Sequence, residues 1–134
     1  MQIKKLTPQE IDTIIRLDAR FKSHWSEDTY AERLELFPEL SYGAYVGKRL
    51  IGFIIGKRDD TYILISRIVV NEFFEGQGIG SKLLETVVSN GAKFRAIVRA
   101  NNLRSLNLHM HHGFAVSGNY EYSNGDAGFI LEKY

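Results

Sequence analysis

The chain has 134 residues, 44% of them hydrophobic, with 17 Lys+Arg against 16 Asp+Glu, a formal charge of +1 and no cysteine. That length fits one domain spanning residues 1–134, large enough to bury a core, and the charge balance offers no footing for nucleic acid. The missing thiols exclude disulfides, thiolate metal sites and a cysteine nucleophile. No apolar run is long enough to cross a bilayer, and the N-terminus reads as a strand, so a cytoplasmic protein without membrane attachment is expected.

Ile3 to Leu6 is predicted as a first strand. Thr7-Pro8-Gln9-Glu10 has the pattern of a capping box with proline at the first helical position. Ile11, Ile14 and Ile15 follow at helical spacing, with Phe21 near the end. Ser26, followed by Glu27 and Asp28, starts a second helix whose inner face is Tyr30, Leu34 and Phe37, and Pro38 helps to end it.

From Ser41 the period changes to two. Tyr42, Ala44 and Val46 alternate, Gly47-Lys48 offers a tight turn, and Leu50 to Lys57 forms the returning arm. Arg58-Asp59-Asp60 turns again into a long strand from Tyr62 to Val70. The next helix carries Ile79, Leu83, Leu84, Val87 and Val88 on one stripe, with Asn90-Gly91 as its stop. Phe94 to Val98 reads as a strand and Asn102 to His112 as a helix stopped by Gly113. Phe114 to Tyr122 and Ala127 to Lys133 are joined by the hairpin signal Ser123-Asn124-Gly125-Asp126. The order β-α-α-β-β-β-α-β-α-β-β describes an α/β fold, a mixed and mostly antiparallel sheet flanked by helices.

The stretch Glu75-Gly76-Gln77-Gly78-Ile79-Gly80-Ser81 between the long strand and the third helix bears most directly on function. The first turn of a helix has unpaired N–H groups and a partial positive charge. Glycines before it let an anion such as a pyrophosphate approach the main chain. Gly80-Ser81-Lys82 reverses the order that a P-loop needs, and Gly76-x-Gly78-x-Gly80 lacks the Rossmann spacing. On the loop alone, an anion cradle and a ligand-free strand-to-helix turn are equally open readings.

Downstream, Asn102-Leu103-Arg104-Ser105 opens a helix that closes on Gly113-Phe114. Together with the glycine loop, this closely resembles the GNAT superfamily of N-acetyltransferases. The loop there reads Arg/Gln-x-x-Gly-x-Gly/Ala, and the later helix reads Asn-x-x-Ala/Ser-x-x-x-Tyr-x-x-x-Gly-Phe. The element order also matches. Within the superfamily, His24-Trp25-Ser26-Glu27, Val98-Arg99-Ala100-Asn101-Asn102 and Asn119-Tyr120-Glu121-Tyr122 resemble segments of ribosomal-protein alanine and protein N-terminal acetyltransferases.

The resemblance implies acetyl-CoA as co-substrate and an amine-bearing acceptor, either a protein N-terminus or a small molecule. By it, the backbone of Ile68, Val69 and Val70 splays from its neighbour and bonds the acetyl carbonyl and pantetheine arm. Gln77, Gly78, Ile79, Gly80 and Ser81 take the pyrophosphate. Asn102 bonds the pantetheine while also suited to an N-cap, Ser105 joins the cofactor site, and Lys82 and Arg104 are candidates for a CoA phosphate. Trp25, Tyr30, Tyr120 and Tyr122 would form the acceptor wall, with Glu27, Asp28 or Glu121 to attract a cationic amine. The blander alternative is a set of core and strand aromatics with solvated acids.

Three positions depart from the family pattern. Glu75 stands where the loop has Arg or Gln; at roughly 6 Å and a dielectric of about 20, a carboxylate and a phosphate charge repel by about 2–3 kcal/mol, and the reading taken is a side chain pointing outward. His109 replaces the tyrosine that protonates the departing thiolate, and is either a candidate general acid or a packed helix histidine. Ile97 occupies the position of the general-base glutamate, which leaves Glu72 or an ordered water as candidates. His109 and His112 share a helix face without a matching carboxylate, so no metal is expected. The rival reading is a CoA-binding regulatory or interaction module that has lost the chemistry.

Overall fold

The computed structural model describes residues 1–21, 25–88 and 92–134. The expected helix stop at Asn90-Gly91 and the His24 end of the Trp25 motif lie outside these residues.

The elements follow the predicted order: β1 (Gln2–Lys5), α1 (Ile11–Asp18), α2 (Glu27–Leu36), β2 (Ser41–Val46), β3 (Arg49–Arg58), β4 (Ile63–Val70), α3 (Ile79–Val87), β5 (Phe94–Arg99), α4 (Leu103–His111), β6 (Ala115–Glu121) and β7 (Ala127–Lys133). They form one seven-stranded sheet in the order β1-β2-β3-β4-β5-β7-β6, antiparallel except at β4–β5. No helix among the described residues is long and apolar enough to cross a membrane.

Local sequence explains most boundaries. Ser26 caps α2 by accepting the Thr29 N–H at 3.2 Å, and Pro38 opens a single 3-10 turn that ends it. The capping box at Thr7 does not form as expected. Pro8–Glu10 is a 3-10 turn, the Thr7 hydroxyl donates to the Glu10 side chain at 3.2 Å, and Glu10 also accepts from the Tyr45 hydroxyl at 2.8 Å. Glu10 is drawn away from the backbone it was expected to cap.

Helices cover both faces of the sheet. Ile79, Leu83, Leu84 and Val87 of α3 and Leu106 of α4 pack on one face with Ile54, Ile65, Phe94 and Val98. On the other face, Ile14 of α1 and Tyr30 and Leu34 of α2 pack with Phe53, Ile55 and Val69. β3 is buried on both sides from Leu50 to Ile55, as the unbroken apolar run of a central strand requires.

β4 and β5 share only three paired positions, Ile63↔Phe94, Leu64↔Arg95 and Ile65↔Ala96. On its other side β4 contains a bulge: Ile65 faces Gly56 and Arg67 faces Ile55, so Ser66 has no partner on β3. An extra residue bends its strand and sharpens the local twist. The β4–β5 ladder ends at the residue before it, so the two strands diverge and leave a cleft between Ser66–Val70 and Ile97–Arg99.

A buried ion pair ties this bend to the helical layer. Asp18 at the end of α1 is 0% exposed; it accepts from Arg67 Nε at 2.9 Å and Nη2 at 2.5 Å, and from the Trp25 backbone N–H at 2.9 Å. Removing one partner of a buried pair strands the other charge. Replacing Asp18 with alanine is therefore expected to lower stability by about 3–5 kcal/mol in urea unfolding, and a loss below about 1 kcal/mol would show the pair to be dispensable.

Candidate active site

The cleft presents a strand edge with known polarity. The Asn71 N–H donates to the Ile51 carbonyl of β3 at 2.7 Å. Strand geometry alternates, so the Val69 groups also face β3 while the N–H groups of Ile68 and Val70 face the cleft. The Val70 carbonyl accepts from Arg20 Nη2 at 2.6 Å. Arg20 and Ile51 thus hold the Val70–Asn71 peptide from both sides and fix the direction of the neighbouring Val70 N–H.

The glycine loop lies beside this edge. Gly76 and Gly78 have φ of +80° and +79°, a left-handed conformation that side chains disfavour, and Gly78 directly precedes α3. The first bond of that helix runs from the Lys82 N–H to the Gly78 carbonyl at 3.1 Å, which leaves the Ile79, Gly80 and Ser81 N–H groups ahead of the ladder. A Cβ on Gly80 would come within 3.4 Å of Leu108 and 4.0 Å of Ile68, so the helix start sits close to both α4 and the open part of β4. The Ser81 hydroxyl bonds the His112 imidazole across the gap between α3 and α4. Gln77 is exposed, and with Ile79 and Lys82 it lines a cavity of about 300 Å³ next to the loop.

Glu75 does not point outward as expected. Its Oε1 lies 2.8 Å from Arg20 Nη2 and its Oε2 lies 3.2 Å from Arg104 Nη1, with only 28% of the side chain exposed. Glu72 lies 3.9 Å from Arg20 with its side chain 64% exposed. Two cations and two carboxylates meet at the loop mouth, so the repulsion expected from a lone Glu75 is offset. Glu72 itself is a solvated turn residue facing an arginine.

On α4, Asn102 is the N-cap, its side chain accepting the Ser105 N–H at 3.2 Å, which leaves its amide N–H₂ free of that bond. Ser105 is half-buried, with its hydroxyl 3.4 Å from His109 Nδ1. His109 is 3% exposed, its Nδ1–H donates to the Ser105 carbonyl at 2.8 Å, and its Nε2 is buried without a hydrogen-bond partner among the described residues. Burial holds its pKa below the ordinary histidine value, nearby His112 adds to this, and the Ser105 carbonyl opposes it. The imidazole is neutral near pH 7, with its only proton committed to a carbonyl. With Nδ1–H committed to the Ser105 carbonyl, Nε2 is left as an acceptor, an arrangement that suits the packed-histidine alternative. Its edge packs on Phe114 with ring centroids 5.1 Å apart.

The expected acceptor aromatics divide. Tyr30 is 0% exposed, packed edge-on against Phe53 at 5.8 Å and tilted against Trp25 at 5.1 Å, so it belongs to the core rather than to an accessible wall. Burial and the neighbouring Asp18 raise its hydroxyl pKa above the ordinary tyrosine range. Trp25 is half-buried on the α1–α2 connection, while Tyr120 and Tyr122 meet edge to face on the final hairpin with ring centroids 5.0 Å apart. Arg99 lies 3.9 Å over the Tyr122 ring and pairs with Asp126 at 2.5 Å. Arg67 lies 5.3 Å over Trp25, and burial raises the Tyr122 hydroxyl pKa while the Arg99 charge opposes it. Ile97, on β5 beyond the last β4–β5 rung, has no acceptor atom. No group of metal-ligating side chains occurs among the described residues. A cavity of about 630 Å³ lies between α1 and the β2–β3 turn, lined by Lys4, Arg16, Lys48 and Arg49 and reaching Asn71.

Sequence reasoning missed Asp18, Arg20, Arg33, Ser66 and Arg67. The signal was present: Asp18 continues the apolar stripe Ile11-Ile14-Ile15 of α1, and Ser66-Arg67 interrupts the apolar run of β4. A charge on an inner face calls for a buried partner.

Residues 11–114 match the model of the Acetyltransferase (GNAT) family. No curated protein matches the sequence. Among solved structures, a chain of the NatC complex bound to Gag peptide and CoA is 26% identical, with a TM-score of 0.89 over 99% of this chain and 98% of that one. Ard1 from Thermoplasma volcanium is 20% identical, with a TM-score of 0.91 and coverages of 98% and 95%. The ribosomal-protein-S18-alanine N-acetyltransferase from Escherichia coli is 21% identical, with a TM-score of 0.84 and coverages of 98% and 92%.

The state of His109 has a thermodynamic consequence. Its folded pKa lies below the unfolded value of about 6.5, so the unfolded chain binds the extra proton first. Its stability contribution is complete above about pH 6.5 and is lost as pH falls toward the folded pKa. The melting temperature is expected to drop between about pH 7 and pH 5, and to drop less in His109→Phe. Equal drops in both proteins would contradict the buried neutral imidazole.

Proposed function

The chain belongs to the acetyltransferase (GNAT) family, and from that premise we propose that it moves the acetyl group of acetyl-CoA to a primary amine, on a protein N-terminus or a small molecule, by direct attack within a ternary complex. The observation that carries this reading is the open edge of β4 beside the unpaired start of α3. A thioester carbonyl at the Val70 N–H and a pyrophosphate at Ile79, Gly80 and Ser81 need an edge donor and a helix terminus in that order.

Acetyl-CoA supplies the activated acyl group. The loop amides and the helix dipole bind its phosphates, and the amide of Asn102 takes a pantetheine carbonyl. The Val70 N–H polarises the thioester carbonyl and stabilises the negative charge that develops on its oxygen. Its fixed peptide means that little reorganisation accompanies the attack. The acceptor enters from the α1–α2 face past Trp25 and Tyr122, and its free amine attacks the carbonyl carbon. The C–N bond forms, the C–S bond breaks, the amine releases its proton to water, and the thiolate is protonated from water. With no cysteine in the chain, a thioester to the enzyme has no nucleophile to form it. His109 acts as a buried acceptor that shapes the α4 wall.

Turnover of acetyl-CoA with a panel of peptide and small primary amines is the direct test. Amine-dependent release of free thiol is expected, and tight acetyl-CoA binding without turnover on any amine would overturn the enzyme reading. A second test concerns the loop mouth. Glu75→Gln removes one carboxylate near the phosphates and leaves Arg20 and Arg104 in place. CoA is expected to bind several-fold tighter at low ionic strength, with the gain fading at high salt. Unchanged affinity at low salt would remove Glu75 from the electrostatics of the site.

A further inference from the structure

Most of the arginines around the cleft have a carboxylate partner. Arg67 pairs with Asp18, Arg99 with Asp126, and Arg20 and Arg104 share Glu75. Arg33, in the last turn of α2, differs. It is half-buried, its Nη1 donates to the Ser66 hydroxyl at 2.9 Å, its guanidinium lies 4.9 Å over the Trp25 ring, and no carboxylate among the described residues lies within ion-pair distance of it. A guanidinium has five N–H donors in a planar fork, and a partly desolvated cation with neutral partners alone is unfavourable.

Its place in the fold gives this cation a function. Ser66 is the bulge residue just beyond the last β4–β5 rung, so Arg33 stands at the vertex of the cleft, on the α1–α2 side and across the sheet from α3 and the glycine loop. On this side Arg67 is paired with Asp18 and Arg99 with Asp126, whereas Arg33 has the Ser66 hydroxyl and the Trp25 ring. Glu27, Asp28 and Glu121, expected to attract a cationic amine, are exposed and pair with none of these arginines.

We infer that the acceptor carries a carboxylate close to its amine and that Arg33 reads it, with the Trp25 ring as the apolar wall beside the pair. This rests on the acetyl-transfer reading above. The guanidinium fork donates two parallel N–H bonds to the carboxylate, a geometry that a neutral amide or an ammonium cannot reproduce. Arg33 is thereby a specificity-determining residue that contacts the acceptor away from the reacting atoms.

The test uses the full chain and two peptides that differ only in Glu or Gln after the N-terminal residue, at saturating acetyl-CoA. The Glu peptide is expected to have a kcat/KM about tenfold or more above that of the Gln peptide. Arg33→Gln should bring the Glu-to-Gln ratio of kcat/KM to about one, whatever the change in absolute rates from losing its bond to Ser66, and Arg33→Lys should keep part of the preference. Equal kcat/KM values in the parent protein overturn the inference, as does a preference that survives Arg33→Gln. If neither peptide is acetylated, the amine panel above decides the enzyme reading, and calorimetric binding of both peptides to the CoA-saturated protein decides this one. A Glu preference in binding that Arg33→Gln removes sustains it, and equal affinities overturn it.

Discussion

The extra residue at Ser66 is the constraint on which the rest of the structure depends. A sheet of seven strands is stable because neighbouring edges satisfy one another, and an edge left open inside it would ordinarily be a defect. Here the bulge turns β4 away from β5 after three paired positions, and nearby side chains hold the bend. Arg67 is drawn into the buried Asp18 carboxylate, and the Ser66 hydroxyl is held by Arg33. The helical layer of α1 and α2 is therefore the brace that keeps two strands apart, and the cleft exists because that brace is there.

Electrostatic balance around the cleft follows from the same arrangement. Glu75 at the phosphate loop, taken singly, places a carboxylate where anions are to bind. In the fold it lies between Arg20 and Arg104, and Arg20 also fixes the Val70 carbonyl. One arginine links the loop mouth to the peptide beside the acyl site. The carboxylate aligns two cations instead of opposing the ligand alone, and the substitution ceases to argue for a module without chemistry.

The architecture was legible in the sequence because its signals are local. The alternation from Tyr42 to Val46, the helical stripe from Ile79 to Val88 and the turn residues around Gly125 each specify an element without reference to the rest of the chain. The cradle was legible for the same reason, since Gly76, Gly78 and the start of α3 are contiguous. What depends on distant partners was not. Tyr30 sits at a position that suits either a binding wall or a core, and only the packing of α2 on Phe53 decides it. Whether His109 carries a proton to give depends on its burial and on the Ser105 carbonyl, neither visible in its spacing. Asp18 and Arg67 lie far apart in the chain, and each read alone is only an odd charge in an apolar pattern.

The central claim is that the cleft edge of β4 and the first turn of α3 form one continuous binding track for acetyl-CoA. Residue-resolved amide hydrogen exchange with and without acetyl-CoA measures this most directly, because each donor reports separately. Protection is expected to rise at Val70, Ile79, Gly80 and Ser81 on addition of acetyl-CoA, while Val69 and Asn71, already committed to β3, stay unchanged. Protection confined to the cavity around Arg16 and Lys48, or absent from Val70, would contradict the claim.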